Sequence, residues 1–336
     1  MPVDADLASL SDNLFTLAIA IYSFALVCYC GEYAFGRRGR VAQTSAVEEK
    51  VLVGAGGPPA TITDDVAEEP IAEAPAGPDR ARRFAMAAVG LTAIGAAVHL
   101  ASVVVRGVAV HRVPWGNMYE FTSAMGFVAV AAFLAVIVWQ PRVRYLGLFV
   151  MLPVLLFMFL AGTVLYVKAG PLTAPLRSYW IAIHVSAAII ATGIFLVSFM
   201  ATLLYLVRRR YDQAVAAGKT PTRFPTTIGW RLPEAGVLDR VAYRTVAFAF
   251  PVFTFGIAAG AIWAEAAWGR YWGWDPKETW SFIAWVVYAA YLHARATAGW
   301  KGVKAARINL LAFGCMLFNF FVVNVVISGM HSYSGL

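Results

Sequence analysis

Charge is scarce in this chain. Asp, Glu, Lys and Arg make up 14% of its 336 residues and hydrophobic residues 60%, with a mean hydropathy of +0.67. That balance excludes an ordinary soluble domain and fits a chain that crosses a membrane several times. Cysteine is almost missing. Cys28, Cys30 and Cys315 all lie in apolar runs, and no C-x-x-C occurs. Neither a redox dithiol nor a thiolate zinc site is indicated, and the three read as small buried apolar residues. The chain also lacks a nucleotide-binding glycine loop, a Ser/His/Asp arrangement and an internal repeat. The first apolar run has no small-residue cleavage site and is too long for a signal peptide. The formal net charge is +8. It is read as Lys and Arg gathered in cytoplasmic loops, so no nucleic-acid partner is expected.

What is present is a series of eight apolar runs of about 20 residues, the length a bilayer demands. They cover about 13–35, 84–105, 118–139, 145–167, 179–207, 241–264, 276–298 and 308–329. The expected fold is an all-α polytopic membrane protein of about eight transmembrane helices. With the N-terminus outside, 21 of the 27 Lys and Arg fall at inner segments. The positive-inside rule then puts both termini, and the loop between helices six and seven, on the outer face. Residues 36–79 hold eight of the nineteen acidic residues and no apolar period, and read as a disordered cytoplasmic linker. The expected organisation is an N-terminal transmembrane helix over 1–35, a linker over 36–83, and a membrane domain over 84–336. A short surface helix is expected between Leu232 and Asp239.

Six of the eleven tryptophans fall in one stretch, WAEAAWGRYWGWDPKETWSFIAW, at Trp263, Trp268, Trp272, Trp274, Trp280 and Trp285. Interfacial Trp is ordinary, but an anchor belt does not need Trp268, Tyr271, Trp272 and Trp274 crowded into seven residues. The run reads as an aromatic surface for a large flat apolar ligand. Asp275-Pro276-Lys277-Glu278 reads as the start of the next helix, with Asp275 as N-cap and Glu278 closing a capping box. Asn117 and Glu120, in HRVPWGNMYEF, have the same spacing.

The five histidines are His99, His111, His184, His293 and His331. His184 falls about one turn into span five, and His331 just past span eight, so both share a face with the Trp-rich loop. Each reads either as a hydrogen-bonded residue near a helix end or as an iron ligand. As a pair they could clamp a porphyrin, with Arg177, Arg270 or Lys277 meeting its propionates. His293 lies about 20 Å below Trp280 and cannot join them. It reads as a snorkelling or capping contact, or as a second stop for the same ligand. His99 and His111 read as structural.

Taken together, WGRYWGWDPKETW, LRSYWIAIHV, YLHAR, SGMHSYSG and GNMYEF resemble the motifs of the CcsA/ResC family of System II cytochrome c biogenesis. The resemblance covers about residues 84–336. It implies a membrane protein with a tryptophan-rich WWD loop over 263–280 that works with a ResB/CcsB-type membrane subunit. It implies transport of haem b to the outer face of the plasma membrane, and its attachment by thioether bonds to the C-x-x-C-H motif of apocytochrome c. His184 and His331 would be axial ligands outside, and His293 a ligand within the membrane. Trp268, Trp272, Trp274, Asp275, Trp280, Arg270 and Arg177 would complete the haem site. Whether such a protein is a subunit of a cytochrome c synthase or a haem transporter or chaperone stays open at this point, while the histidine placement sets a scaffold with a mere Trp belt apart from both.

Overall fold

A run of apolar residues in lipid must satisfy its own backbone groups, and a helix does so within one segment. The computed structural model describes residues 3–52, 77–172, 176–327 and 329–331, and its secondary structure there is entirely helical and turn. The main helices are α1 (Ala5–Leu52), α2 (Gly77–Ala109), α3 (Met118–Trp139), α4 (Gly147–Thr163), α5 (Tyr179–Ala216), α6 (Ala235–Trp268), α7 (Pro276–Ala296) and α8 (Val303–Leu317). A 3-10 turn, Pro141–Leu146, leads into α4, and a π turn, Phe318–Val322, continues α8. Seven of these segments are long and apolar enough to cross a membrane, so the protein is a polytopic membrane protein. The eighth expected span, α7, is a helix of 21 residues, about 31 Å long. Lys277, Glu278, His293 and Arg295 at its two ends dilute its apolarity.

Two boundaries differ from expectation. The backbone of α1 runs past Phe35 to Leu52. Residues 36–52 contain Ala, Arg, Glu and Lys and no proline, and nothing in them stops a helix. Of the rest of the expected linker, 53–76 lies outside the described residues and 77–83 forms the start of α2. The separate surface helix expected before span six is instead the first turn of α6, which starts at Ala235 directly after Pro233-Glu234.

Helix α1 lies along α2, and α5 along α6. Close approach of α3 to α5 depends on Gly193. A Cβ there would come within 2.8 Å of Val128 Cγ1 and 2.9 Å of the Met125 carbonyl. Small residues let membrane helices meet in this way. The core behind them includes Phe195 stacked on Tyr288 at 3.8 Å. Asn309 ties α8 to α5 by donating to Ser198 Oγ (2.9 Å) and Thr202 Oγ1 (2.7 Å). His99 is fully buried between Ser123 and Tyr22, and His111 is exposed.

At the end of the bundle that carries the Trp-rich loop, two arginines close around one carboxylate. Arg106 donates to Glu120 (3.2 Å), Asp12 (3.2 Å) and the Val167 carbonyl (2.7 Å). Arg112 donates to the other Glu120 oxygen at 2.8 Å. Asn117 caps α3 as expected, accepting from the Glu120 amide. Glu120 does not complete the box. Its carboxylate accepts from the Gly116 amide and the two guanidinium groups instead. Removing one member of a buried charge set typically costs about 3–5 kcal/mol, because its partners stay buried. Glu120→Leu is therefore expected to lower the apparent melting temperature of the detergent-solubilised protein by several degrees. Glu120→Gln, which still accepts a hydrogen bond, should lose less.

Candidate functional site

Helix α6 ends where Gly269 takes a left-handed φ of 70°, with its amide bonded to the Glu265 carbonyl. That reversal, cheap for glycine, turns the chain into the aromatic loop. The loop ends at Asp275, which opens α7 through a complete capping box with Glu278 and with Pro276 at the first helical position. Trp274 also sits at a positive φ, 58°, where a side chain is strained.

Beneath the loop lies a largely apolar cavity. Trp115 and Phe121 come from the α2–α3 side, Val185 from α5, Phe253 and Trp263 from α6, and Phe320 from the last span. Its polar members include Asn117, His184, Lys277, Glu278, Ser281, Asn319, Asn324 and His331. Two histidines more than a hundred residues apart in the chain thus reach one space.

Each imidazole has one nitrogen committed. His184 Nδ1 lies 2.7 Å from the Gly256 carbonyl. A carbonyl can only accept, so the proton is on Nδ1 and the lone pair is on Nε2. Room for the ring comes from Gly260, one turn further along α6, where a Cβ would stand 2.6 Å from His184 Nδ1. Gly256 and Gly260 thus form a small-xxx-small pair in which Gly256 lets α6 approach α5 at Ala187 and Gly260 makes room for the imidazole. His331 Nδ1 lies 2.8 Å from Asp275 Oδ2, and Asp275 Oδ1 accepts from the Met330 amide at 2.7 Å. Burial pushes the His331 pKa down, against the pull of Asp275, so the ring is neutral at neutral pH. Burial alone would raise the Asp275 carboxyl. The Met330 amide and the His331 ring hold it below the usual carboxylate range. A neutral His331 facing an ionised Asp275 carries its proton on Nδ1, which again leaves Nε2 as the acceptor.

Aromatic rings surround the pair. Trp263, 1% exposed, lies parallel to His184 with centroids 6.3 Å apart and is 5.6 Å from His331. Trp268 meets His331 edge-on at 4.8 Å, and Trp272 lines the cavity. Other expected members stand apart. Trp274 is 65% exposed and packs on Trp272 and Phe282 outside the cavity. Trp280 packs at a tilt on Phe318, with ring centroids 4.0 Å apart, and braces α7 against the last span. Arg177 is exposed and donates to the Leu172 carbonyl. Arg270 lies over Trp268, 3.7 Å from Glu278. His293 is exposed on the face of α7 that also carries Phe282 and Val286.

Sequence reasoning missed the second duty of Asp275, the buried Trp263 and the glycine seat of His184. The seat had a visible signal, the GIAAG of residues 256–260. Gly260→Ala is expected to push the His184 ring off the Gly256 carbonyl while leaving the fold intact. Loss of the imidazole signal assigned to His184 from its position, at unchanged helical content by circular dichroism, checks this.

Residues 115–331 match the family described as Cytochrome C assembly protein. The chain is 40% identical over 176 residues to the cytochrome c biogenesis protein CcsA of Guillardia theta, covering 50% of this chain and 58% of that one. It is 37% identical over 166 residues to CcsA of Chlamydomonas reinhardtii, covering 49% and 44%. Against CcsA of Synechococcus sp. strain JA-3-3Ab it is 32% identical over 266 residues, covering 66% and 77%. The chain thus spans about half the length of the first two relatives. In fold it is similar to the Cytochrome c Heme Lyase CcmF, with a TM-score of 0.55 and 18% identity, over 96% of this chain and 47% of that one. The family segment opens on Trp115 and closes on His331, both in the wall of the cavity, and the chain belongs to the CcsA family of cytochrome c assembly proteins.

Proposed function

We propose that this protein acts in cytochrome c biogenesis by receiving haem b as its cargo and holding it on the outer face of the plasma membrane for attachment to an apocytochrome c. One observation carries the reading. His184 and His331 line one apolar cavity, each with Nδ1 engaged and Nε2 left to bind a metal. Imidazoles that ligate metals usually donate their other N–H to a carbonyl or carboxylate. Here one partner is the Gly256 carbonyl and the other the Asp275 carboxylate. Trp263, Trp268 and Trp272 offer flat apolar contact to a macrocycle and exclude water.

The cavity encloses about 210 Å³, below the roughly 300–1,000 Å³ of sites that swallow a drug-sized ligand. A tetrapyrrole edge left outside the walls is open to a second protein. The attachment adds a substrate thiol across each haem vinyl bond, sulfur to one carbon and hydrogen to the other, so no oxidant is consumed. The chain's own part is ligation, orientation and exclusion of water. His293, exposed on α7, supplies one ligand of a membrane-level haem stop whose other ligand comes from the ResB/CcsB-type subunit. The positive-inside bias supports this orientation.

Reconstitution of the chain with that subunit, haem and an apocytochrome carrying C-x-x-C-H tests the proposal. Haem covalently bound to the apocytochrome, and dependent on this chain, is the expected result. Haem that reaches the apocytochrome but stays extractable would instead make the protein a chaperone. No transfer at all would refute the proposal.

A further inference from the structure

A cation in the wall of the cavity hydrogen-bonds to neutral partners. The Lys277 ammonium donates to the Asn319 carbonyl at 3.2 Å and to Asn324 Oδ1 at 2.9 Å. An ammonium has three donors, and among the described residues no third hydrogen bond and no ion pair is made by Lys277. Of the two neighbouring carboxylates, Asp275 is engaged with His331 and Glu278 Oε2 with the Gly273 and Asp275 amides, while Glu278 Oε1 lies 3.7 Å from Arg270 without a hydrogen bond. Lys277, Ser281, Asn319 and Asn324 all line the cavity.

Asn319 gives an independent sign of a missing partner. It is 6% exposed, its Nδ2 lies 2.9 Å from Ser281 Oγ, and its Oδ1 has no hydrogen bond. The two ends of an amide are assigned from their surroundings. Turned over, Asn319 would accept from the Ser281 hydroxyl and leave Nδ2 as an unpaired donor in the cavity wall. The π turn Phe318–Val322 contains Asn319, and such widenings of a helix recur at functional sites. A lysine charge and an amide donor converging in an apolar cavity are built for an anion, and a planar carboxylate accepts from both.

We propose that Lys277 and Asn319 form the subsite that receives a carboxylate of the tetrapyrrole cargo. The inference rests on the haem reading above and specifies which group of the ligand is recognised. Neither Arg177 nor Arg270 fills this role. The first is exposed and bonded to the Leu172 carbonyl, and the second is folded over Trp268 with Met330 and Glu278 as its partners.

The test titrates the full chain in detergent with ferric protoporphyrin IX and with its dimethyl ester, followed by the haem absorption band. The unmodified protein should bind the free acid at least about tenfold more tightly, as expected for one charge-assisted hydrogen bond. Lys277→Met should bind both alike, and Lys277→Arg should keep a preference for the acid. Equal binding of acid and ester by the unmodified protein, a comparison that needs no variant to fold, would overturn the subsite alone. So would a preference that survives in Lys277→Met. Failure to bind either compound would overturn the haem reading and the subsite with it.

Discussion

Replacing either His184 or His331 by alanine should reduce cytochrome c maturation to background, a loss of at least about 100-fold, and added imidazole should restore part of it. Alterations to the shell around a metal site cost about 10–100-fold, and removal of a ligand should cost more. The structure says why rescue should work. Each alanine leaves a gap of imidazole size facing the cavity, with the Gly256 carbonyl or the Asp275 carboxylate still placed to orient a guest ring. Rescue should therefore fail for His331→Ala when Asp275 is also replaced by Leu, since the guest would lose its acceptor. Normal maturation in both single variants would show that neither ring binds the iron.

The second large effect belongs to Asp275. Read from sequence as a helix cap, it would tolerate asparagine, because Asn and Asp cap about equally well. The structure gives it three tasks. Oδ2 accepts from the Lys277 amide (3.3 Å) and from His331 Nδ1 (2.8 Å), while Oδ1 accepts from the Met330 amide (2.7 Å). One amide oxygen cannot serve both sides, and the amide NH₂ would face another donor. Asp275→Asn is thus expected to weaken haem retention by about 10–100-fold, the range for groups that orient a metal ligand. The loss should exceed any change in melting temperature. Haem per protein, measured at matched expression, checks it, with tryptophan variants as companions. Trp268→Ala and Trp272→Ala should lose haem, since their rings meet His331 or line the cavity. Trp274→Ala, a ring that is 65% exposed and outside it, should not. Wild-type haem in Asp275→Asn would return this residue to a capping role.

Much of this was legible in the residues. Helices follow from apolar length, and both cap signals, Asn117 and Asp275, were read from spacing alone. The crowding of Trp263–Trp280 pointed to the loop, and the placement of His184 and His331 at one membrane face pointed to the site. What stayed hidden depends on contacts between distant segments. Nothing local says that the Asp275 carboxylate reaches residues 330 and 331, or that Glu120 turns from its own cap to Arg106 and Arg112. Trp268, Trp272 and Trp274 look equivalent in the sequence. They separate only because the loop backbone, with its positive φ at Trp274, turns one ring outward. The arginines misled for a related reason. Arg177 lies seven residues before His184 and Arg270 lies inside the aromatic loop, but among the described residues the basic side chain that lines the cavity is Lys277.

The most direct test of two histidines holding one iron is the electron paramagnetic resonance spectrum of the haem-loaded protein, purified with the ResB/CcsB-type subunit proposed above. Two imidazoles give a strong field, so the ferric protein should show a low-spin signal, and His184→Ala and His331→Ala should each convert any haem that remains to high spin. A low-spin spectrum unchanged in both variants, or a colourless protein from haem-replete cells, would contradict the account.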